Sequence, residues 1–398
     1  MRIRSLLVVA EISLSLVLLA GAGLLLQSFW KLLQINPGFR PESVATCQVS
    51  LPRVHYPEAR QRADFFRHVL DELRAQPGVE SAAAVTAIPF GGSRGQSTFS
   101  IDGRTVPDGA NGPSADRHQA SPGYFRTIGI PLLAGRDFSD SDDFTRPGVV
   151  IINEAAARQF WPDEDPIGKS LTVGMSDEIA LYGKAVSREI IGIVGNVKHE
   201  KLNDAVQPEL YLPVWQLPVD GLSLLVRGQA KADNLINGMR SAVQSVDKNQ
   251  PVRRARLLES SLIKSVAPQR FVTMLLMLFA GIALLLAAVG VYGVMSYTVA
   301  QRTHEIGIRM ALGAQTTDIL KMVVGQGMRL ALTGVGIGLI ASLAFARLMQ
   351  SLLFNVSATD PVTFVAIASL LVSIAFLACY VPARRAAKVD PMIALRHE

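Results

Sequence analysis

Cysteine and charged residues are both scarce in this chain. Its 398 residues include only two cysteines, Cys47 and Cys379, which excludes a disulfide framework and a cysteine-based zinc cluster. Asp, Glu, Lys and Arg make up 18% of the residues, whereas hydrophobic residues make up 49%. With a mean hydropathy of +0.29, this balance is too apolar for an ordinary soluble globule. It favours a membrane protein with a sizeable water-facing part.

Four apolar runs are long enough to cross a bilayer, whose core needs roughly 20 helical residues. They cover residues 6–26, about 271–297, about 330–349 and 362–381. The first run is longer than the apolar part of a signal peptide and lacks a convincing cleavage site, so we expect a retained anchor.

The third run has a small residue at every fourth position, which lets another helix approach closely. That helix belongs either to the same bundle or to a second copy of the chain. The small residues are Gly334, Gly338, Ser342 and Ala346.

Lysine and arginine are placed asymmetrically around the four runs. By the positive-inside rule, their positions put both termini and the loop between the second and third runs in the cytoplasm. The net charge of +6 follows this topology, so no nucleic-acid partner is expected. Residues 31–268 then form one extracytoplasmic domain, in which we expect Cys47 to react with a thiol reagent from outside. The orienting residues are Arg2, Arg4, Arg302, Arg309, Lys321, Arg329, Arg384, Arg385, Lys388 and Arg396.

Two parts of the extracytoplasmic domain share the order strand, helix, strand. Hydrophobic periodicity predicts the first over residues 43–85 and the second over residues 222–257. Two such units are the parts of a split ferredoxin-like sandwich. The residues between them contain strands of their own, GVVIINE and REIIGIVGNV, and a helix at 154–161. We therefore predict an α+β membrane protein, with four transmembrane helices plus an extracytoplasmic α/β core into which a second subdomain is inserted.

No catalytic or metal-binding motif is complete. His304-Glu305 begins like the zinc motif HExxH, but Ile308 stands where the second histidine is needed. PIGKS at 166–170 ends like a phosphate-binding loop without its first glycine, and predicts a turn before a strand. DFSDSDD at 137–143 lacks the glycine and the closing glutamate of a calcium loop, and predicts a solvated turn. No nucleophile elbow is present either, so we expect no enzyme activity, no cofactor and no metal.

The segment QRTHEIGIRMALGA, residues 301–314, lies between the second and third runs. As a helix it places Arg302, Glu305 and Arg309 on one stripe, at spacings of three and four. Apolar residues pair beside that stripe, Ile306 with Met310 and Ile308 with Leu312.

The ends of this short helix are predicted from its flanking residues. Gly313 is expected to end it, and Thr316 or Thr317 to cap the helix that follows. The result is an amphipathic helix at the cytoplasmic membrane face. It is either part of a solvated loop or a docking element for a partner.

Several stretches carry a family resemblance that covers nearly the whole chain. They are EIGIRMALGA, the opening VVAEISLSLVLLAGAGLLLQSFWKLLQINPGF, the central YFRTIGIPLLAGRDF, VVIINEAAARQFWP and EIIGIVGNVKHEKL, and the tail VPARRAAKVDPMIALRHE. Together they resemble the FtsX-like permeases, which are the transmembrane subunits of MacB-type ABC transporters. They are most similar to one half of the duplicated MacB-like permeases.

The resemblance implies a bacterial inner-membrane protein with three parts. Residues 1–30 are the first transmembrane helix, residues 31–268 a MacB-like periplasmic core domain with a porter-like part, and residues 269–398 an FtsX-like permease domain. The implied function is to couple ATP hydrolysis in the cytoplasm to a conformational change of the periplasmic domain, for export or mechanotransmission. The alternative is a non-transporting signalling or scaffold protein whose periplasmic domain regulates a cell-envelope partner.

The implied partners follow from the same family. They are a separate MacB-type ATPase subunit, a second copy or a homologous half of the permease, a membrane-fusion protein, and membrane lipid. The sequence leaves open whether the chain is a complete subunit or one half. The resemblance places eight residues in the region that touches the ATPase, and the charged stripe adds Arg302. The eight are Glu305, Ile306, Gly307, Arg309, Ala311, Leu312, Gly313 and Ala314.

Overall fold

A computed structural model describes residues 2–92, 95–104, 112–173, 186–312, 315–350, 353 and 356–386. The chain divides into two compact units, one of residues 35–267 and the other of residues 1–34 and 268–398. The first unit is a mixed α/β domain, and the described part of the second is helical.

The α/β domain contains all the described strands together with short helices, and the elements of the helical unit are all helices. In chain order they are α1 (Arg2–Leu33), β1 (Val44–Ser50), α2 (Ala59–Arg74), β2 (Val79–Val85), β3 (Gln96–Ile101), β4 (Ser114–Ala120), α3 (Tyr124–Ile128), β5 (Leu132–Gly135), β6 (Gly148–Asn153), α4 (Glu154–Phe160), β7 (Ser170–Val173), β8 (Ser187–Val194), β9 (Glu209–Pro213), β10 (Gly221–Gly228), α5 (Ala232–Val246), β11 (Arg253–Leu257), α6 (Leu258–Gln301), α7 (Thr303–Ala311), α8 (Thr316–Leu348) and α9 (Pro361–Ala386).

Four helices of the described chain are long and apolar enough to span a membrane, which confirms the predicted spans. They cover Arg4–Leu33, Leu258–Gln301, Thr316–Leu348 and Pro361–Arg385. Each helix is longer than the apolar run it contains, because polar flanking residues continue the backbone hydrogen-bond ladder beyond the apolar stretch. Hydropathy therefore located the helices but not their ends.

The small-residue stripe of α8 packs against α1 of the same chain. A Cβ atom added at Gly334 would lie 2.9 Å from Cβ of Ile12, and one added at Gly338 would lie 3.0 Å from Cβ of Leu16. Oγ of Ser13 donates a hydrogen bond to the carbonyl of Gly334 at 2.8 Å. The two backbones can approach this closely only because the glycines lack side chains. All four residues of the stripe are buried: Gly334, Gly338, Ser342 and Ala346.

The described strands of the α/β domain form one sheet in the order β11-β1-β10-β2-β4-β3-β7-β8-β6-β9, with β5 paired to β8. The first four strands are all antiparallel to their neighbours. Their order is that of the fourth, first, third and second strands of a ferredoxin-like sandwich, whose two helices are α2 and α5. The split ferredoxin-like prediction is confirmed.

One face of this four-stranded part is covered by α2 and α5. The apolar residues of α2 recur at helical spacing, and Phe66, Val69 and Leu70 are all buried in the same cluster as strand residues such as Cys47. Cys47 is only 1% exposed, and burial raises the pKa of its thiol to about 12. The expectation that Cys47 reacts from outside is therefore wrong, because the side chain faces the core.

The inserted residues cover the opposite face. Val44, Val85 and Leu225 point away from the helices and share a buried cluster with Tyr124 and Tyr211, which belong to the insertion. The inserted part and the ferredoxin-like part thus have a core in common.

The insertion contains more structure than its sequence indicated. β6, β8 and α4 were predicted, whereas β3, β4, β5, β9 and α3 were not. The PIGKS segment makes the predicted turn before β7, with Gly168 at a φ of +80°.

The acidic segment at 137–143 differs in part from the solvated turn that was predicted. Asp142 is buried and accepts hydrogen bonds from Nη1 and Nη2 of Arg136 at 2.7 and 3.0 Å, and from the backbone N–H of Ser139 at 2.8 Å. Burial raises the pKa of Asp142, but these hydrogen bonds outweigh it, and the net pKa is below the ordinary value. The turn itself is present at Asp140 and Ser141, which are both exposed. Asp142 departs from the prediction, because a nearby arginine compensates its buried carboxylate.

Candidate functional site

The helix expected in the segment 301–314 is present as α7. Its apolar face is anchored, since Ile306 is 3% exposed and belongs to the buried cluster of the helical unit. Met310, one turn later, packs against the same cluster. The other apolar pair points outward, with Ile308 41% and Leu312 83% exposed. The helix is therefore held on one side and open on the other.

The three charged residues of α7 form one row. Oε1 of Glu305 accepts a hydrogen bond from Nη2 of Arg309 at 2.7 Å, and Oε2 of Glu305 lies 3.9 Å from Nε of Arg302. The side chains are 37 to 49% exposed, so these ion pairs contribute little to stability. They fix the positions of two guanidinium groups at the surface.

The same arginines join α7 to α8. Nη1 of Arg309 lies 2.9 Å from Sδ of Met322, and Nη1 of Arg302 donates to Oε1 of Gln326 at 3.4 Å. α7 is thus held to α8 by polar contacts of its two arginines, and Ile306 holds it in the apolar cluster of the helical unit.

The helix caps differ in part from those expected. The N-cap of α8 is Gln315, which forms a capping box with Asp318, so the assignment to Thr316 or Thr317 is wrong. The backbone N–H of Gln315 donates a hydrogen bond to Oδ2 of Asp318 at 3.2 Å, an arrangement that neither threonine offers. α7 ends at Ala311, with Leu312 as its C-cap. Gly313 and Ala314, predicted to lie at this junction, fall outside the described residues.

Basic residues from distant parts of the sequence lie at the same end of the helical unit. The guanidinium of Arg4 lies 4.2 Å from the centre of the Tyr297 ring, and Nη1 of Arg385 donates to the hydroxyl of Tyr292 at 3.1 Å. Both tyrosines belong to the last part of α6, next to α7. The start of α1, the end of α9 and the helix α7 therefore share one end.

One group of potential metal ligands occurs in the described part of the α/β domain, far from α7 in sequence. His118, His199 and Glu209 are buried, and their ligand atoms all lie within 4.8 Å of one another. Sequence reasoning missed this group because its members come from three separate segments and have no motif spacing.

Comparison with family models matches two regions. Residues 12–242 match the MacB-like periplasmic core domain, and residues 277–391 match the FtsX-like permease C-terminal region.

Two curated relatives are longer than this chain and match it over part of their length. The macrolide export ATP-binding/permease protein MacB of Hahella chejuensis is 30% identical over 69% of the chain and 42% of its own length. The probable syringafactin export ATP-binding/permease protein SyfD of Pseudomonas syringae pv. tomato is 29% identical over 71% of the chain and 42% of its own length. The chain thus spans less than half the length of these relatives.

A solved structure of the periplasmic region of MacB from Actinobacillus actinomycetemcomitans is 15% identical. The match covers 58% of this chain and 95% of that one, with a TM-score of 0.37.

Proposed function

Because the chain belongs to the family that joins a MacB-like periplasmic core domain to an FtsX-like permease C-terminal region, we propose that it is the permease subunit of an ABC transporter driven by a separate ATPase. The observation that carries the proposal is α7, a helix anchored in the bundle by Ile306 and open to solvent at Leu312. A helix of this kind can receive a partner on its open side and transmit the displacement through its anchored side.

The docking surface we propose consists of the charged row and the exposed apolar residues of α7 with its C-cap. Arg302 and Arg309 offer cations, and Ile308 and Leu312 offer apolar area that is exposed in the isolated chain. Gly307, Ala311, Gly313 and Ala314 are assigned to the surface from the family resemblance alone. An interface with an apolar centre and a charged rim is typical of specific protein–protein contacts.

Displacement of α7 would be passed on by α8. The contacts of Arg309 with Met322 and of Arg302 with Gln326 tie α7 to the first turns of α8. Further along, the close contact of Gly334 and α1 ties α8 to the helix that leads into the domain of residues 35–267. Helices packed this tightly move together as a rigid body, because such a packed interface does not deform continuously.

We place both termini and α7 in the cytoplasm and residues 31–268 in the periplasm of a bacterial inner membrane. The gathering of Arg4, Arg385 and the arginines of α7 at one end of the helical unit supports this orientation by the positive-inside rule. A second copy of the chain or a homologous half would complete the permease. For an export function, we propose a membrane-fusion protein as a further partner.

The test is co-purification of the full chain in detergent with a MacB-type ATPase of the same organism, in the presence of ATP. Leu312→Ser removes apolar area from the docking surface, whereas Leu348→Ser is the matched control, since Leu348 is 81% exposed at the other end of α8. Losing a buried leucine contact corresponds to about tenfold or more in affinity. We expect weaker binding for Leu312→Ser only.

Equal binding by the two variants would show that α7 is not the docking element. Binding of a cell-wall hydrolase by the periplasmic domain, without stimulation of ATP hydrolysis when the ATPase is added, would instead support the signalling alternative.

A further inference from the structure

The group of His118, His199 and Glu209 is built by two adjacent strands and one loop. β4 and β9 are parallel neighbours in which Asp116 pairs with Glu209 and His118 with Tyr211. Residues two apart on a strand share a face, so His118, Glu209 and Tyr211 all project from the same side of the sheet. The loop between β8 and β9 supplies His199, whose carbonyl accepts a hydrogen bond from the N–H of Phe90 at 2.7 Å.

The group is almost completely shielded from water. His118 is 0% exposed, and the side chains of His199 and Glu209 are 6% and 1% exposed. Nε2 of His199 lies 3.3 Å from Oε1 of Glu209. Within the described residues, neither ring nitrogen of His199 has a hydrogen bond. Buried polar groups normally have one, so this imidazole retains a nitrogen that can bind a ligand.

The carboxylate of Glu209 is oriented by its neighbour. The hydroxyl of Tyr211 donates a hydrogen bond to Oε2 of Glu209, which leaves Oε1 on the side of His199. A buried carboxylate needs a compensating positive charge.

We propose that His118, His199 and Glu209 form a binding site for a divalent transition-metal ion of the Zn²⁺ class. Two imidazoles and one carboxylate are ligands that zinc takes in proteins. The Tyr211 hydroxyl then acts as the outer partner that orients the ligating carboxylate. This inference does not depend on the proposed transport function.

Metal binding requires a defined rearrangement. The rings of His118 and His199 are stacked, with centroids 4.7 Å apart and planes 11° from parallel. Two ligand atoms of one tetrahedral ion lie roughly 3.4 Å apart, and a metal lies close to the plane of each imidazole that binds it. One imidazole must therefore change its side-chain rotamer, and His199, which lies in a loop, is the one placed to do so. The bound ion would fasten that loop to β4 and β9.

The experiment uses the full chain in detergent, purified with a tag that contains no histidine and stripped with EDTA. Zn²⁺ is added at increasing concentration, and bound metal is measured by equilibrium dialysis and elemental analysis. We expect one Zn²⁺ per chain. His199→Gln and Glu209→Gln should each weaken binding by about tenfold or more, and Tyr211→Phe by about 10- to 100-fold.

Matched controls come from the same domain. His55 and His68 are exposed, so His55→Gln and His68→Gln should bind Zn²⁺ like the wild type. His397→Gln is the control for the C-terminal residues. Wild-type binding no stronger than that of His199→Gln, or loss of binding in any control variant, would overturn the proposal.

A second measurement needs no variant and therefore does not depend on the folding of altered chains. X-ray absorption of the zinc-loaded wild-type chain should show nitrogen and oxygen ligands at about 2.0–2.1 Å, with imidazole scattering. A sulfur ligand, which only methionine or the two buried cysteines could supply, would assign the metal to another site and refute the one proposed.

Discussion

The contact between α1 and α8 gives a prediction whose size can be worked out from distances. Alanine at Gly334 or Gly338 places a Cβ atom 2.9 or 3.0 Å from carbons of α1, whereas carbon atoms prefer about 3.5–4.0 Å. The opposing atoms include Cβ of Ile12 and Cα of Ser13, which cannot rotate away. The helices must therefore separate by roughly 0.5–1 Å.

Two effects of opposite sign set the magnitude. Replacing glycine by alanine inside a helix stabilises by about 0.5–1 kcal/mol, while overpacking destabilises by about 1–3 kcal/mol. Gly336 lies on the same helix with nothing within 4 Å of an added Cβ, so Gly336→Ala should be neutral or stabilising. We expect Gly334→Ala and Gly338→Ala to be less stable than Gly336→Ala by about 1–3 kcal/mol.

The assay is reversible unfolding of the full chain in mixed micelles, titrated with sodium dodecyl sulfate and followed by far-ultraviolet circular dichroism. The double variant Gly334→Ala/Gly338→Ala should lose less free energy of unfolding than the two single variants lose together, because one displacement of α1 relieves both contacts. If Gly338→Ala is as stable as Gly336→Ala, the close approach of the two helices is not what stabilises this pair.

Two further predictions concern topology and pH. A membrane-impermeant maleimide applied to intact cells should label Val54→Cys, at a position 87% exposed, but not Leu312→Cys; labelling of the second variant from outside would reverse the proposed orientation. Burial, then the hydrogen bond to Asp247 at 2.6 Å, raise the pKa of Tyr56 from 10.0 to about 12. The folded state then keeps a proton that the unfolded state loses between these pH values. The free energy of unfolding of the wild-type chain should exceed that of Tyr56→Phe by a constant amount below pH 10, and this difference should shrink between pH 10 and pH 12. A difference that stays constant over that range would contradict the raised pKa of Tyr56.

Much of the fold follows from local sequence signals. The apolar runs are strong signals because a bilayer demands long uninterrupted helices. In the α/β domain, α2 and the strands beside it have clear periodicity, so the ferredoxin-like halves could be recognised. β4 could not, because SADRHQA is a polar sequence whose Asp116, His118 and Gln119 are nevertheless buried. Such residues are tolerated only through tertiary partners, which no local window contains.

The charged row of α7 and the candidate metal site differ in how far they could be predicted from the sequence. The row of Arg302, Glu305 and Arg309 is local, and helical spacing alone brings the three side chains together. The group around His199 is not, since it depends on the pairing of β4 with β9 and on a loop between β8 and β9. Sequence spacing carries no information about such a group unless the sheet order is known.

The pairing of β2 with β10 has a consequence for how this domain can change in evolution. Residues 86–220 leave the ferredoxin-like part at Val85 and return at Gly221, two residues before Ser223, which is the partner of Val85 in the ladder. The whole insertion thus occupies the place of a hairpin turn, where longer connections add little entropic cost. A long connection therefore costs little at this place in the sheet, but the insertion also covers a buried face of the ferredoxin-like part. Its removal would expose Val44, Val85 and Leu225 to water. The remaining sheet would then have an exposed apolar face, which favours aggregation.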